Sequence, residues 1–437
     1  MDSPEHDAAR HPYRASTPAE RLRAFLRVLG PGLVSGAADD DPSGIATYSQ
    51  AGARFGHGML WTALLTTPFM IAIQLAAARV GRVTGVGLAG NLRAHYPFAL
   101  VSSLVVLLVV GNTINIAADV AAMGEALQLV VGGGEHGHAL LFGVLIALLQ
   151  VILPYYRLAR LFNWLCLALL AYVAVLAFVH VDWAAALRAL VAPRIEWNLD
   201  ALMMVVALLG TTISPYLFFW QAGHEVEEMR RKKVPPLLAE PGRAAGALLR
   251  IRVDTISGMV LSNAIALAIM LATAATLHAA GVHDIQTTAQ AAEALRPLAG
   301  ESAFVLFAAG VIGTGLLAVP VLAGSAAYAV AEVFGWQSGL DKHYSEARPF
   351  YGILTGATLI GTALDFTPID PIRALYYSAV INGVIAVPIM AMLVMLASNA
   401  LALGPFAVRG PLRALGWAGT ALMATAVSLM LFAAVRG

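Results

Sequence analysis

The chain is poor in the residues that make a water-soluble surface or a covalently stapled fold. Charged side chains are only 12% of its 437 residues, against 59% hydrophobic ones. That charged fraction is roughly half the usual value for soluble domains, so the chain cannot cover itself with polar groups on every side. Cysteine occurs once, as Cys166. An intrachain disulfide is excluded, and a lone cysteine within an apolar span argues against a cysteine-based metal site. The formal net charge is +1, with no acidic or basic excess to draw a nucleic acid. No His-Glu-x-x-His is present for an intramembrane zinc protease. A membrane prenyl-transfer enzyme would need two spaced acidic clusters to hold a metal diphosphate, and the chain has one. The first 20 or so residues lack an apolar core, so they read as a polar cytoplasmic tail rather than a cleaved signal.

What is abundant is apolar runs of membrane-crossing length. Windows of roughly 20 residues predict an all-α integral membrane protein with about eleven spans. They fall at 30–55, 59–80, 98–130, 139–154, 161–180, 200–222, 250–277, 302–333, 350–364, 371–397 and 412–434. With the N-terminus inside, 21 of the 27 Lys and Arg residues fall on the inner side and 6 on the outer. The positive-inside bias therefore predicts a cytoplasmic N-terminus and an external C-terminus; the expected location is a bacterial inner membrane. The Arg230-Arg231-Lys232-Lys233 run is a topology signal on this reading, with a lipid headgroup contact as the alternative.

The most informative stretch is Gly36-Ala37-Ala38-Asp39-Asp40-Asp41-Pro42-Ser43-Gly44, three carboxylates inside the first apolar span. Ionisable groups at bilayer depth mark functional sites by default. The Pro and Gly that follow break the helix and free carbonyls, which a membrane protein tolerates where backbone faces protein or a water-filled cavity. Span six carries Gly210-Thr211-Thr212-Ile213-Ser214-Pro215-Tyr216, a second small, polar, Pro-containing break. The two breaks lie five spans apart. Because five is odd, two such halves enter the membrane with opposite orientation, the inverted-repeat plan of secondary transporters, whose substrate site lies where the broken helices meet. The expected organisation is a tail at 1–29, a first repeat at 30–180, a second at 200–398 and an eleventh span within 399–437.

The chemistry expected at such a site is that of hard oxygen ligands. Asp41 supplies a carboxylate, the freed carbonyls near Ala38 and Thr211 supply neutral oxygens, and Ser214 adds a hydroxyl from the opposite helix. Such a set suits Mg²⁺, Mn²⁺ or Ca²⁺. Asp39 and Asp40 cannot both share the direction of Asp41 on a helix. One of them, Asp40 in particular, is assigned to the approach path or to holding a proton. In span three, Asn112, Asn115 and Asp119 fall within about 60° of one another at 3.6 residues per turn. That stripe is either a water or proton path or interhelical hydrogen bonding.

At these residues the chain resembles the NRAMP divalent-metal transporter family. Gly30-Pro31-Gly32, Asp41-Pro42-Ser43-Gly44, Ala46-Thr47 and Gln50-Ala51-Gly52 look like that family's first helix with its Asp-Pro-Gly-Asn motif, Ser43 standing for Gly and Gly44 for Asn. Ser214-Pro215-Tyr216 stands where the family has Met-Pro-His. Gly315-Leu316-Leu317-Ala318 and Gly324-Ser325 to Tyr328 look like its eighth helix. The resemblance implies a LeuT-type bundle of ten helices plus an eleventh, alternating access, and the divalent ion as cargo, with no enzymatic activity, cofactor or protein partner. Asp41 alone carries over as a matched side-chain ligand. Ser214 removes the soft sulfur that favours Mn²⁺ and Fe²⁺, and Gly44 removes a ligand and is expected to enlarge the cavity. That combination is similar to the NRAMP-related magnesium transporters and makes Mg²⁺, with Mn²⁺ tolerated, the expected cargo. A proton-coupled Mn²⁺/Fe²⁺ importer is the alternative, and an amino-acid or organic-cation symporter on the same fold is a further one. Tyr216 and Ala122 replace a His and a Glu of the family's proton route. Arg348 is a candidate partner for Asp119, with a topology charge as the default.

Other marks have plainer readings. Gly85-Val86-Gly87-Leu88-Ala89-Gly90 has glycine-loop spacing but follows a span rather than a strand. His224, Glu225, Glu227 and Glu228 read as a solvated helix end, or as a secondary metal-collecting site. His136 and His138 read as an ordinary loop. Ser325, Tyr328 and Glu332 line an inner exit or pack between helices. Ser378 and Asn382 in span ten reach a hydrated ion or hydrogen-bond between helices.

Overall fold

The computed structural model describes residues 36, 38–153, 167–193, 197–366 and 370–436. The tail at 1–29, Gly30-Pro31-Gly32, Arg157, Arg160 and Cys166 lie outside these. The described chain is helical throughout. Its principal helices are α1 (Pro42–Phe55), α2 (Leu60–Thr84), α3 (Leu88–His95), α4 (Phe98–Val131), α5 (Glu135–Ile152), α6 (Leu199–Thr212), α7 (Pro215–Lys232), α8 (Ala244–Thr273), α9 (Ala303–Phe334), α10 (Arg348–Leu364), α11 (Pro371–Ala397) and α12 (Gly410–Arg436).

Eight stretches among the described residues are long and apolar enough to cross a membrane. The difference from eleven has physical causes. A single stretch, Pro42–Thr84, holds both span one and span two, joined through the tight turn Gly56–Met59. The ninth span is the helix α10, only 17 residues long. Span five falls partly outside the described residues, and its described remainder holds the short helix Leu170–Val175.

Both expected breaks are present. α6 ends at Thr212, Ile213 and Ser214 leave the helix, and α7 restarts with Pro215 at its first position. Asp41 is extended, with φ −67° and ψ 171°, and Pro42 opens α1. Proline is tolerated there because the first helical N–H has no intrahelical acceptor, and its ring presets the helical φ. The Asp41 carboxylate accepts from the Gly44 N–H at 2.7 Å, so this acid caps α1.

Around the breaks, α1 packs against α6, α8 and α11, while α4 runs alongside α5, α9, α10 and α11. α7 lies between α2 and α9, and α12 covers α2, α6 and α11. Small residues set the closest crossings, as is usual where lipid offers no hydrophobic drive between helices. A Cβ on Gly210 would stand 2.2 Å from the Ala379 carbonyl oxygen, so α6 meets α11 backbone to backbone. This holds the second break in the middle of the bundle.

Several sequence marks resolve into packing. The glycine turn before α3 receives a carboxylate of its own chain: the Gly90 N–H donates to Glu332 at 3.0 Å, and a Cβ on Gly87 would collide with Glu332 Oε1 at 1.9 Å. The glycine spacing thus serves an internal anion at a helix N-terminus. Ser325 meets Asn112 at 2.7 Å, and Tyr328 donates to Glu227, so the α9 stripe bonds to three different elements. Glu225 and Glu228 pair with Arg250 at 2.6 and 2.8 Å, and Lys232 takes Glu228 at 2.6 Å. These acids form an ion-pair cluster, not the solvated end expected of them. His136 bonds Asp365 at 3.0 Å.

Candidate metal-ion site between the broken helices

Four buried carboxyls lie around the break before α1, with Asp41 and Asp119 between α1, α4 and α7 and with Asp39 and Asp40 towards α8. Asp39, Asp40, Asp41 and Asp119 are 0, 1, 2 and 0% exposed. Among the described residues no Lys or Arg faces any of them. Their partners are neutral. Asp41 Oδ2 accepts from Asn115 Nδ2 at 3.0 Å, and that same amide lies 3.4 Å from Asp119 Oδ2, so Asn115 bridges the two acids. The Tyr216 hydroxyl donates to the Ala38 carbonyl at 3.0 Å and lies 3.5 Å from Asp41 Oδ2. The two broken helices therefore touch through Tyr216 on one side and Ala38 with Asp41 on the other.

The remaining two acids point elsewhere. The Ser262 hydroxyl of α8 lies 2.7 Å from Asp39 Oδ2 and 3.1 Å from Asp40 Oδ1. Among the described residues Asp39 Oδ1 has no partner. Asp40 thus faces α8, away from the Asp41–Asn115–Asp119 line. Ser262 is not singled out by the sequence; its signal is the polar pair Ser262-Asn263 within a span that also carries Asp254, Thr255 and Ser257.

Other expected site residues are placed differently. The Ser214 hydroxyl lies 3.0 Å from the Gly210 carbonyl and 2.8 Å from that of Thr211, committing its proton to its own helix and occupying one side of the Thr211 oxygen. Gly44 opens no space. A Cβ there would meet Thr211 Oγ1 at 3.2 Å, the Asp39 carbonyl at 3.3 Å and the Tyr48 ring at 3.3 Å. The enlarged cavity expected from the missing side chain is filled by Tyr48 and Thr211. Arg348 stands exposed at the first turn of α10, and no ion pair joins it to the buried Asp119. Arg348 is the first residue of α10 and exposed, whereas Asp119 is buried within α4.

The α4 stripe divides between its two readings. Asn112 bonds the Leu322 carbonyl at 2.9 Å and Ser325, tying α4 to α9, whereas Asn115 and Asp119 turn to Asp41. Ser378 of α11 meets the Ser43 hydroxyl at 3.3 Å, and Ser43 itself lies 3.2 Å from the Leu375 carbonyl. This is an interhelical clasp on α1.

No group of three or more His, Cys, Asp or Glu side chains that could hold a metal occurs among the described residues. The centre that exists is one carboxylate, Asp41, surrounded by carbonyl, amide and hydroxyl oxygens. Such a set leaves room for water in the coordination of a hard divalent ion. Buried acids without a basic partner are balanced by a cation or by protons, because an isolated charge in low dielectric is costly.

Two broken helices enclosing buried, uncompensated acids in an all-helical bundle define an ion-coupled or ion-carrying membrane transporter. The solved structures agree on the fold. The chain is similar to the manganese transporter of Eremococcus coleocola, with a TM-score of 0.74 at 15% identity over 96% of this chain and 88% of that one. It is also similar to Mhp1, a nucleobase-cation-symport-1 family transporter, with a TM-score of 0.58 at 12% identity over 93% of each chain. The fold is the LeuT type. The family model described as natural resistance-associated macrophage protein-like matches residues 32–433, and the chain belongs to this Nramp family. Among its relatives is the divalent metal cation transporter MntH of Burkholderia ambifaria, 28% identical over 92% of this chain and 87% of that protein. The MntH of Klebsiella pneumoniae is 27% identical over 91% and 92%. The protein is thus a membrane transporter of a divalent-metal family, and not an enzyme.

Proposed function

We propose that the chain carries Mn²⁺ through the site between its broken helices, with Asp41 as the charged ligand and the Ala38 and Thr211 carbonyls and Tyr216 hydroxyl as neutral oxygens. The observation that carries this reading is the set of four buried carboxyls that no Lys or Arg among the described residues faces. A divalent cation offsets that charge, whereas a substrate carboxylate would add to it, which disfavours the amino-acid symporter. Manganese is put first because proteins of similar sequence and fold bear divalent-metal and manganese names. Two changes favour Mg²⁺, the absence of a sulfur ligand at Ser214 and a roomier pocket at Gly44; the crowding at Gly44 by Tyr48 and Thr211 removes the second.

Mg²⁺ remains a competitor on this proposal. Oxygen ligands alone give no thiophilic discrimination, so Mg²⁺ should reduce Mn²⁺ uptake where a site with a sulfur ligand would exclude it. Asp41, Asn115 and Asp119 form a continuous polar line from the ion into α4, which is the route available to protons accompanying the metal. Transport proceeds by rocking of the bundle that contains the two broken helices against the remaining helices as a scaffold, which exposes the buried site to each side in turn. Uptake of Mn²⁺ into proteoliposomes, with Mg²⁺ as competitor and internal pH recorded, tests the proposal. Saturable Mn²⁺ entry inhibited by millimolar Mg²⁺ supports it; no divalent entry overturns it.

A further inference from the structure

A second group of ligand atoms converges at the far end of α1. There α1 stops at Phe55 with Gly56 as its cap, leaving the Ala53 carbonyl in the last helical turn. Two imidazoles reach this oxygen from the segment after α8. His278 Nδ1 lies 2.8 Å from the Ala53 oxygen, His283 Nδ1 lies 3.3 Å from it, and the two Nδ1 atoms are 3.2 Å apart. The rings meet edge to face, with centroids 4.7 Å apart at 69°.

Three features mark this cluster as built. His278 closes a π-helical turn, Ala274–His278, a distortion that re-aims side chains and is frequent at functional sites. Gly56 adopts φ +54° directly beneath the ring, where a Cβ would stand 3.1 Å from His278 Nε2. The oxygen belongs to the C-terminal end of a helix, the negative end of its dipole, which favours a cation. The nearby charges agree. Arg54 is held by Asp200 at 2.5 Å, while the Asp284 carboxylate stands next to His283 and accepts from the side-chain amides of Gln50 and Gln286.

We infer that Ala53 O, His278 Nδ1 and His283 Nδ1 form a second divalent-metal site, at the mouth to which α1 leads from the buried acids. The triangle has the size of one face of a coordination shell. Bonds of about 2.05 Å place neighbouring ligands about 2.9 Å apart in an octahedron and about 3.3 Å apart in a tetrahedron. Neutral rings protonated on Nε2 would leave both Nδ1 lone pairs free for a metal beside the Ala53 oxygen, with water completing the shell. His283 is exposed and His278 partly buried, so the site opens to solvent. Imidazole nitrogen suits Zn²⁺, Fe²⁺ and Ni²⁺ best and binds Mn²⁺ more weakly, whereas Mg²⁺ prefers oxygen ligands and its own waters. The mouth therefore supplies a selectivity that the all-oxygen centre lacks, concentrating transition ions at its entrance. By the charge count this mouth is the external one.

The test counts Mn²⁺ bound to the purified full-length protein by electron paramagnetic resonance, in the wild type, Asp41→Asn, His283→Ala and the double variant. The expected counts are two, one, one and none, with the mouth's dissociation constant raised about tenfold or more by loss of one ligand. ¹⁵N-histidine labelling of the unmutated chain provides a readout free of folding effects, because a bound Mn²⁺ should show nitrogen coupling. Asp41→Asn protein that binds no Mn²⁺, binding indifferent to His283→Ala, or absent nitrogen coupling would each overturn the site. If Asp41 is not a ligand, wild type and Asp41→Asn bind equally, while the His283-dependent equivalent is still counted.

Discussion

Replacing Asp41 by Asn separates the charge of this residue from its structural duty. The carboxylate caps α1 through the Gly44 N–H and accepts from Asn115. Asn is about as good a helix cap as Asp, so the fold should hold within about 1 kcal/mol. Removing one of four buried acids that no Lys or Arg among the described residues faces even relieves repulsion. What is lost is the charged ligand. Removing groups that merely orient a ligand costs roughly 10–100-fold in metal affinity, so loss of the only carboxylate should cost about 100-fold. At Mn²⁺ concentrations of about 100 times the dissociation constant, the intact site gains about 2.7 kcal/mol of stability from binding. With affinity reduced 100-fold the same relation leaves about 0.4 kcal/mol. The assay is a thermal shift with and without Mn²⁺, made in a His283→Ala background so that the mouth does not contribute. Asp41→Asn should melt near the parent temperature without metal and gain almost nothing with it. An undiminished Mn²⁺-dependent shift would refute the assignment of Asp41 as the ligand.

Further perturbations address separate parts of the account. Ser214→Met places a thioether at the second break; competition should move toward Cd²⁺ over Mn²⁺ by about tenfold in uptake assays, and an unchanged ratio would show that position 214 does not face the ion. Glu227→Ala removes the acceptor shared by the Tyr328 hydroxyl and the Leu340 N–H. Amide exchange over 335–343 should accelerate by the equivalent of about 1–3 kcal/mol, and unchanged protection would deny that this contact holds the segment to α7. Gly87→Ala drives a methyl into Glu332, so it should lower the melting temperature, whereas Glu332→Ala in the same chain should restore part of the loss. Independent, additive effects of that pair would contradict the proposed packing.

The two breaks were legible in the sequence because a proline after a cap residue constrains the backbone locally, and Asp41-Pro42 and Ser214-Pro215 do so whatever their neighbours. The spans were legible from apolar length, except where a tight turn fused two of them or a helix fell short of full length. Side-chain direction was not legible. Whether Ser214 turns toward an ion or back to Gly210 depends on one rotamer, and whether Gly44 leaves space depends on Tyr48, which only the packing of α1 against α6 decides. Arg348 and Asp119 share a charge logic but differ in burial, which spacing along the chain cannot reveal. The glycine turn at 85–90 had a real anion partner, yet Glu332 lies more than two hundred residues away. The His278–His283–Ala53 triangle depends on a π-helical turn and a capped helix end, features that leave no periodic trace.

The most direct test of the central claim is Mn²⁺ uptake by proteoliposomes holding wild-type or Asp41→Asn protein at equal density, with Mg²⁺ as competitor. The account predicts saturable Mn²⁺ entry, reduced by Mg²⁺ and absent in Asp41→Asn. Mn²⁺ entry that persists in Asp41→Asn, or no metal entry from protein that still takes up an amino acid, would contradict it.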